Sequence, residues 1–185
     1  DQQILVVQKI ADEVHLRRAE AVQRLEPQIV SLLQKLGMPN VKFAIDMIPL
    51  NEFRSNGKDE IRMKFSANKN IAPQWLGEIS SGGELSRVML CLKYILTKNK
   101  SVHTIIFDEI DTGVSGAIAS QMGEIMRQMA QSRQVITITH LPQVAARCEH
   151  HYLVYKEDTD IRTETHIRKL NTQEHEAEIE KMREL

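Results

Sequence analysis

Thr104-Ile105-Ile106-Phe107-Asp108-Glu109 is the stretch on which the reading of this chain turns. Four uncharged residues in a row, mostly β-branched or aromatic, show no alternating polar face, so they read as a strand buried on both sides, as in a parallel sheet. Two carboxylates end it. Ligands of open α/β sheets sit outside the carboxyl ends of the strands. There Asp108 has a fixed place from which to meet a divalent cation, while Glu109, one residue on, points elsewhere and can accept a proton from water. An Asp-Glu pair also opens ordinary solvated turns, so the hexapeptide alone leaves both readings standing.

The bulk properties set the bounds. A chain of 185 residues holds one ordinary domain with a full core and has room for an appendage. With 24 basic against 25 acidic residues, no global field advertises nucleic acid or a membrane surface. Cys91 and Cys148 stand far apart and read as free thiols of a reducing compartment. No signal peptide and no bilayer-length apolar run is visible, which makes the expected location cytoplasmic and the expected membrane contact none. The chain starts on Asp1 and runs straight into helical periodicity, as a segment of a longer protein would.

Outward from the decisive strand, the N-terminal third is helical. Ile4, Val7, Ala11, Val14, Arg18, Ala21 and Leu25 alternate three and four apart. That pattern fits the a/d seam of a coiled coil, broken at Arg18, and equally one amphipathic helix on a globular core. Ile29, Leu32, Leu33 and Leu36 extend the stripe beyond Pro27 to Gly37, placed as a C-cap with Pro39 behind it. Val41, Phe43, Ile45 and Met47 then alternate with polar or small residues, as do Ile61, Met63, Phe65 and Ala67, with Asn56-Gly57 between them as a turn. Trp75 reads as a core anchor under a loop. Arg17, Arg18 and Arg24, balanced by Glu13, Glu20 and Glu26, read as a solvated helix face. The acidic run from Glu174 to Leu185 reads as a solvated terminal helix.

A second stretch, Ser80-Ser81-Gly82-Gly83-Glu84-Leu85-Ser86-Arg87, opens a helix. Its glycines let a backbone approach a ligand closely, and the unpaired N–H groups at the helix start favour an anion, with the Ser81 hydroxyl as a further donor. A plain Ser N-cap explains the same residues. The order of the motifs narrows the choice. The Ser-Gly-Gly-Glu start, one helix, the strand ending in Asp108-Glu109, Ile110-Asp111-Thr112-Gly113, another helix, and the strand Val135-Ile136-Thr137-Ile138-Thr139 ending in His140 follow one another along the chain.

This succession resembles the second half of an ABC-type ATPase head. Ser81-Gly82-Gly83-Glu84 is similar to the signature motif, Asp108 and Glu109 to Walker B and its catalytic glutamate, Asp111 to the D-loop aspartate, and His140 to the switch histidine. Ser81 to Arg87, Asp108 to Gly116, Thr139-His140-Leu141-Pro142-Gln143-Val144-Ala145-Ala146 and Leu36-Gly37-Met38-Pro39 resemble more narrowly the RecN family, bacterial SMC-like ATPases of recombinational DNA double-strand break repair. Ser80 stands where the general signature has Leu, and the C-terminal run is more acidic than the family's usual ending. The implied fold is α/β, the C-terminal lobe of an ABC/SMC-type P-loop ATPase head, a mixed sheet with flanking helices. Residues 1–36 would form a coiled-coil root and 37–185 the lobe.

Nowhere does the sequence hold Gly-x-x-x-x-Gly-Lys-Ser/Thr, the phosphate cradle. In the RecN layout that motif belongs to the N-terminal lobe, which the resemblance therefore implies as a partner, together with ATP, Mg2+, a second ATP-bound head in a homodimer, DNA, and a place near the nucleoid. Asp108 would hold the metal through water and Glu109 would deprotonate the attacking water. His140 would meet the γ-phosphate, while Ser81, Gly82, Gly83, Glu84 and Asp111 would serve the nucleotide between heads. The isolated chain would be inactive. A transporter's nucleotide-binding subunit shares these motifs but places a helical domain, not a stem, before the signature. A non-hydrolysing ATP-gated clamp needs no Glu109. Cys148, His150 and His151 lack a second ligand pair at metal-binding spacing and read as a helix end entering the strand Tyr152 to Lys156.

Overall fold

The computed structural model describes residues 2–79, 81–97, 103–108, 110–111, 113–114, 116–158 and 161–184. The chain divides into two compact units, Asp1–Leu92 and Lys93–Leu185. Helix α2, Gly82–Leu96, runs from the one into the other.

The first unit is built on one long helix, α1, Gln2–Lys35, with Pro27 inside it. Its end is written in the sequence. Gly37 takes φ +83°, the Met38 N–H donates to the Leu33 carbonyl at 3.1 Å and the Gly37 N–H to that of Gln34 at 3.2 Å. This is a Schellman C-cap, for which a residue without Cβ is suited. Strands β1, Lys42–Arg54, and β2, Gly57–Ser66, form an antiparallel hairpin with Phe43 opposite Phe65, Ile45 opposite Met63 and Met47 opposite Ile61. The register matches the expected alternation, although β1 runs on through the polar stretch, with an irregularity between Pro49 and Arg54.

The hairpin lies along α1, and the contact is polar as well as apolar. Arg18 does not interrupt the helix stripe as a solvated charge. Its guanidinium donates to the Asn56 carbonyl at 2.5 Å and to Asp59 Oδ2 at 3.3 Å, while His15 Nδ1 lies 2.8 Å from Asp59 Oδ1. Buried Ala11 and half-buried Val14, Ala21 and Leu25 continue the same side of the helix, whereas Ile4 and Val7 are exposed. Further down, the Ile45 N–H donates to Glu26 Oε1 at 2.7 Å. Over residues 11–25 the seam is thus covered by the chain's own hairpin. Trp75, in the short strand β3, Gln74–Trp75, departs from the expected core anchor. It is half-buried, with Lys64 Nζ 4.4 Å and the Arg62 guanidinium carbon 5.3 Å from its ring centre. The indole serves as a cation platform on the sheet edge.

The second unit centres on two parallel strands, β4, Thr104–Phe107, and β5, Gln134–Thr137, paired Ile105 with Val135 and Phe107 with Thr137. Helix α3, Gly116–Ala130, connects them and buries Ala119, Met122, Gly123, Ile125, Met126 and Met129, a stripe at helical spacing. Here the expectation of a strand buried on both sides is corrected. Ile105 and Phe107 are buried, but Ile106, Ile136 and Ile138 are 56, 44 and 59 % exposed on the other face. The residues are apolar enough for a two-faced core, but α3 packs against only one face of the pair. Helix α4, Pro142–Ala145, packs on α3 where Gly123 allows it: a Cβ there would lie 3.0 Å from the Gln143 carbonyl oxygen and 3.3 Å from Val144 Cα. Strands β6, Tyr152–Asp158, and β7, Thr163–Lys169, form a second hairpin, followed by helix α5, Thr172–Glu184. Among the described residues no helix is long and apolar enough to cross a membrane.

Candidate functional site

The parallel pairing brings two of the expected residues to one sheet end. Asp108 follows β4 and is exposed, and the ladder extends one residue past β5, with the Ile138 N–H donating to the Phe107 carbonyl at 2.9 Å. Thr139 and His140 come next. Because both strands run the same way, Asp108 and His140 leave the sheet at the same carboxyl edge, where open α/β sheets bind ligands. Glu109, Thr112 and Ser115 lie outside the described residues.

Asp111 occupies an unexpected position. Its residue is only 2 % exposed, in a turn closed by the Val114 N–H to the Asp111 carbonyl at 3.1 Å, with Gly113 at φ +70°. The Thr139 hydroxyl donates to its Oδ2. The same Thr139 oxygen accepts from the Leu141 N–H at 3.0 Å, which fixes the entry into α4. His140 Nδ1 stands 3.6 Å from Asp111 Oδ2, beyond hydrogen-bond length but within ion-pair range. The His140 side chain is 73 % exposed, so its ring is held at one edge and open at the other. A buried carboxylate is costly unless it is paired. Thr139 and His140 supply this among the described residues, and the loop after β4 is thereby tied to the loop after β5. Sequence reading placed Thr139 at the strand end and in the run that resembles the RecN family, but gave it no role at the site.

Side chains also hold the two strands beneath. Lys93 Nζ donates to the Ile106 carbonyl at 3.5 Å and lies 5.1 Å from the Phe107 ring centre, while the Thr137 hydroxyl reaches Met126 Sδ at 3.6 Å.

The signature-like residues belong to the first unit. Ser81 precedes α2 and is exposed, and its carbonyl accepts the first helical bond from the Leu85 N–H at 3.1 Å. A Cβ on Gly82 would meet nothing within 4 Å among the described residues, so none of their packing requires glycine there. Open space before exposed N–H groups at the start of a 15-residue helix suits an anion approaching closely. Gly83 and Glu84 are half-buried in the first turn.

No family model matches the chain. The chain is 36 % identical to the DNA repair protein RecN of Deinococcus radiodurans over 174 residues, covering 94 % of this chain and 30 % of that protein. RecN of Rickettsia felis is likewise 36 % identical over 174 residues, and RecN of Haemophilus influenzae 34 % over 169. The chain thus spans about a third of the length of the curated relatives it matches. Among solved structures, the SMC head domain with coiled coil and joint from Pyrococcus yayanosii matches 98 % of this chain with 33 % of its own length, at a TM-score of 0.69 and 16 % identity. A chain from work on ATP-driven dimerization and DNA-stimulated activation of SMC ATPases matches 89 % of this chain with 94 % of its own, at a TM-score of 0.55 and 16 % identity. The fold is therefore that of an SMC-type ATPase head lobe, and by sequence the chain belongs to the RecN family, as a segment of it.

Proposed function

We propose that the chain is the C-terminal lobe of a RecN-type ATPase head, acting in DNA double-strand break repair once a Walker A lobe joins it. Residues 1–36 serve as the root of the coiled coil and 37–185 as the lobe. The observation that carries this reading is the shared carboxyl edge of β4 and β5, where exposed Asp108 and exposed His140 emerge side by side in the chain order of Walker B and switch histidine. The exposed isoleucines 106, 136 and 138 support it, because an apolar sheet face of this kind is what a second lobe would cover.

The residues present fit the groups such a site needs. Asp108 offers a hard carboxylate oxygen at an open position, the donor Mg2+ takes, usually while keeping several waters. When bound, that cation would neutralise charge on the phosphates. Glu109 accepts the proton of the attacking water, and His140 donates a hydrogen bond towards the γ-phosphate from its open ring edge. Asp111 and Thr139 act as positioning residues for that ring. Ser81, Gly82, Gly83 and the first turn at Glu84 cap the nucleotide held by a partner head, so that ATP joins two heads into a homodimer. In such a scheme the location is the bacterial cytoplasm at the nucleoid, with DNA as the larger partner.

The test is steady-state ATP hydrolysis by the chain alone, by the chain mixed with the Walker A lobe of its parent, and by the same mixture carrying Glu109→Gln. Turnover only in the unmodified mixture is expected, since the chain alone lacks the groups that position the phosphates. Undiminished turnover with Glu109→Gln would remove Glu109 as the base.

A further inference from the structure

Cys148, His151 and His175 come together away from the nucleotide edge. Cys148 lies in the turn after α4, His151 just before β6, and His175 in the first turn of α5. One ligand atom from each lies within 4.8 Å of the other two. The two ring nitrogens face one another, His151 Nδ1 and His175 Nδ1 standing 2.9 Å apart with the rings edge to face. His175 is the ligand that spacing along the sequence could not supply: it is brought in by the return of the β6–β7 hairpin, 24 residues after His151.

The surroundings hold these groups in place. The Leu170 N–H donates to the His151 carbonyl at 2.9 Å, closing the hairpin beside the cluster. Asn171 and Glu174 form a reciprocal cap at the start of α5. The Glu174 N–H donates to Asn171 Oδ1 at 3.0 Å and the Asn171 N–H to Glu174 Oε2 at 2.9 Å. Arg168 adds a 2.6 Å bond to Glu174 Oε1, and the His175 N–H donates to the Asn171 carbonyl at 2.8 Å. The helix turn that carries His175 is thus fixed by Arg168 of β7 and by Asn171 just before α5.

We propose that Cys148, His151 and His175 form a zinc site. One thiolate and two imidazoles are a donor set suited to Zn2+, and tetrahedral ligands at 2.0–2.3 Å from the ion stand roughly 3.3–3.6 Å apart. The two Nδ1 atoms face each other at 2.9 Å and a ligand atom of each residue lies within 4.8 Å of the others, so the site closes with small side-chain shifts. The Zn–S bond forms as the Cys148 S–H proton leaves to solvent. Water takes the fourth position. Glu178, three residues beyond His175 and mostly covered, carries its charge near His151 and pairs with Lys181 at 3.6 Å. Cys148 is exposed, so the ion has a way in. The metal would pin α5 to the turn that follows α4, and α4 is the short helix entered directly from Thr139 and His140. The role is structural and independent of the ATPase reading.

The experiment is a Co2+ titration of the reduced 185-residue chain followed by its absorption spectrum, with back-competition by Zn2+. Expected are a thiolate-to-cobalt charge-transfer band and ligand-field bands of tetrahedral intensity, both abolished by stoichiometric Zn2+. Cys148→Ser removes the charge-transfer band, and Cys91→Ala leaves it intact. His175→Ala weakens binding by at least the roughly tenfold to hundredfold that loss of a mere supporting contact costs at metal sites. Circular dichroism checks that each variant is folded. Co2+ spectra without a thiolate band in the wild-type chain, or equal affinity in Cys148→Ser and wild type, would overturn the proposal and leave His151 and His175 as a hydrogen-bonded pair.

Discussion

Replacing Thr139 by Val removes one hydroxyl and leaves the side-chain shape nearly unchanged, which isolates the link between the two loops at the sheet edge. In the structure that hydroxyl donates to the buried Asp111 carboxylate and accepts from the Leu141 N–H at 3.0 Å. A hydrogen bond to a charged group is worth about 1.5–3 kcal/mol, and leaving its buried partner unsatisfied adds to the loss. A net destabilisation of about 2 kcal/mol follows, a fall of roughly 4–8 °C in Tm for a chain of this size. The comparison is with Thr139→Ser, which keeps the oxygen and loses a methyl, about 1 kcal/mol at most. Thermal unfolding by circular dichroism at pH 7 reads both. Equal melting of Thr139→Val and Thr139→Ser would show that Asp111 is not held by this hydroxyl, and the coupling of the Asp111 turn to His140 would fall with it.

Three further outcomes are expected. Burial alone would raise the Asp59 pKa, but hydrogen bonds from His15 and Arg18 and their charges outweigh it and hold the carboxyl below its usual range. A depressed carboxylate stabilises the fold fully above its unfolded value, near pH 4, and that contribution is lost as pH falls through the lower folded value. Urea midpoints should therefore drop as pH falls below about 4 more steeply in wild type than in Asp59→Asn, and parallel pH curves would refute the pairing. Gly123→Val, which forces a side chain against the Gln143 carbonyl and Val144, should cost about 1–3 kcal/mol by overpacking α3 against α4, read as a lowered urea midpoint. Burial pushes the Cys91 thiol up to about 12, so native alkylation at pH 8 with chelator present to keep the chain metal-free, followed by mass spectrometry, should label Cys148 alone, with Cys91 reacting only in denaturant.

What the sequence determined by itself is local. Gly37 ends α1 because the left-handed residue and the bonds it permits lie within six positions of one another, and the hairpin follows from alternation on either side of Asn56-Gly57. The succession from Ser81 through Asp108 to His140 was legible for a similar reason: each motif is a short run whose chemistry needs no distant partner to be recognised. Tertiary structure decided what depends on which distant groups meet. Arg18 read as a break in a seam until Asp59 and Asn56 arrived from the hairpin to bind it, and Trp75 as a core residue until Lys64 and Arg62 settled over its ring. Strand β4 is apolar enough for two buried faces and has one, since hydrophobicity records what a residue tolerates and packing records what covers it. Asp111 with Thr139, and His151 with His175, are pairs separated by 28 and 24 residues. Their spacing carries no period, so only the fold that closes those loops could bring them together.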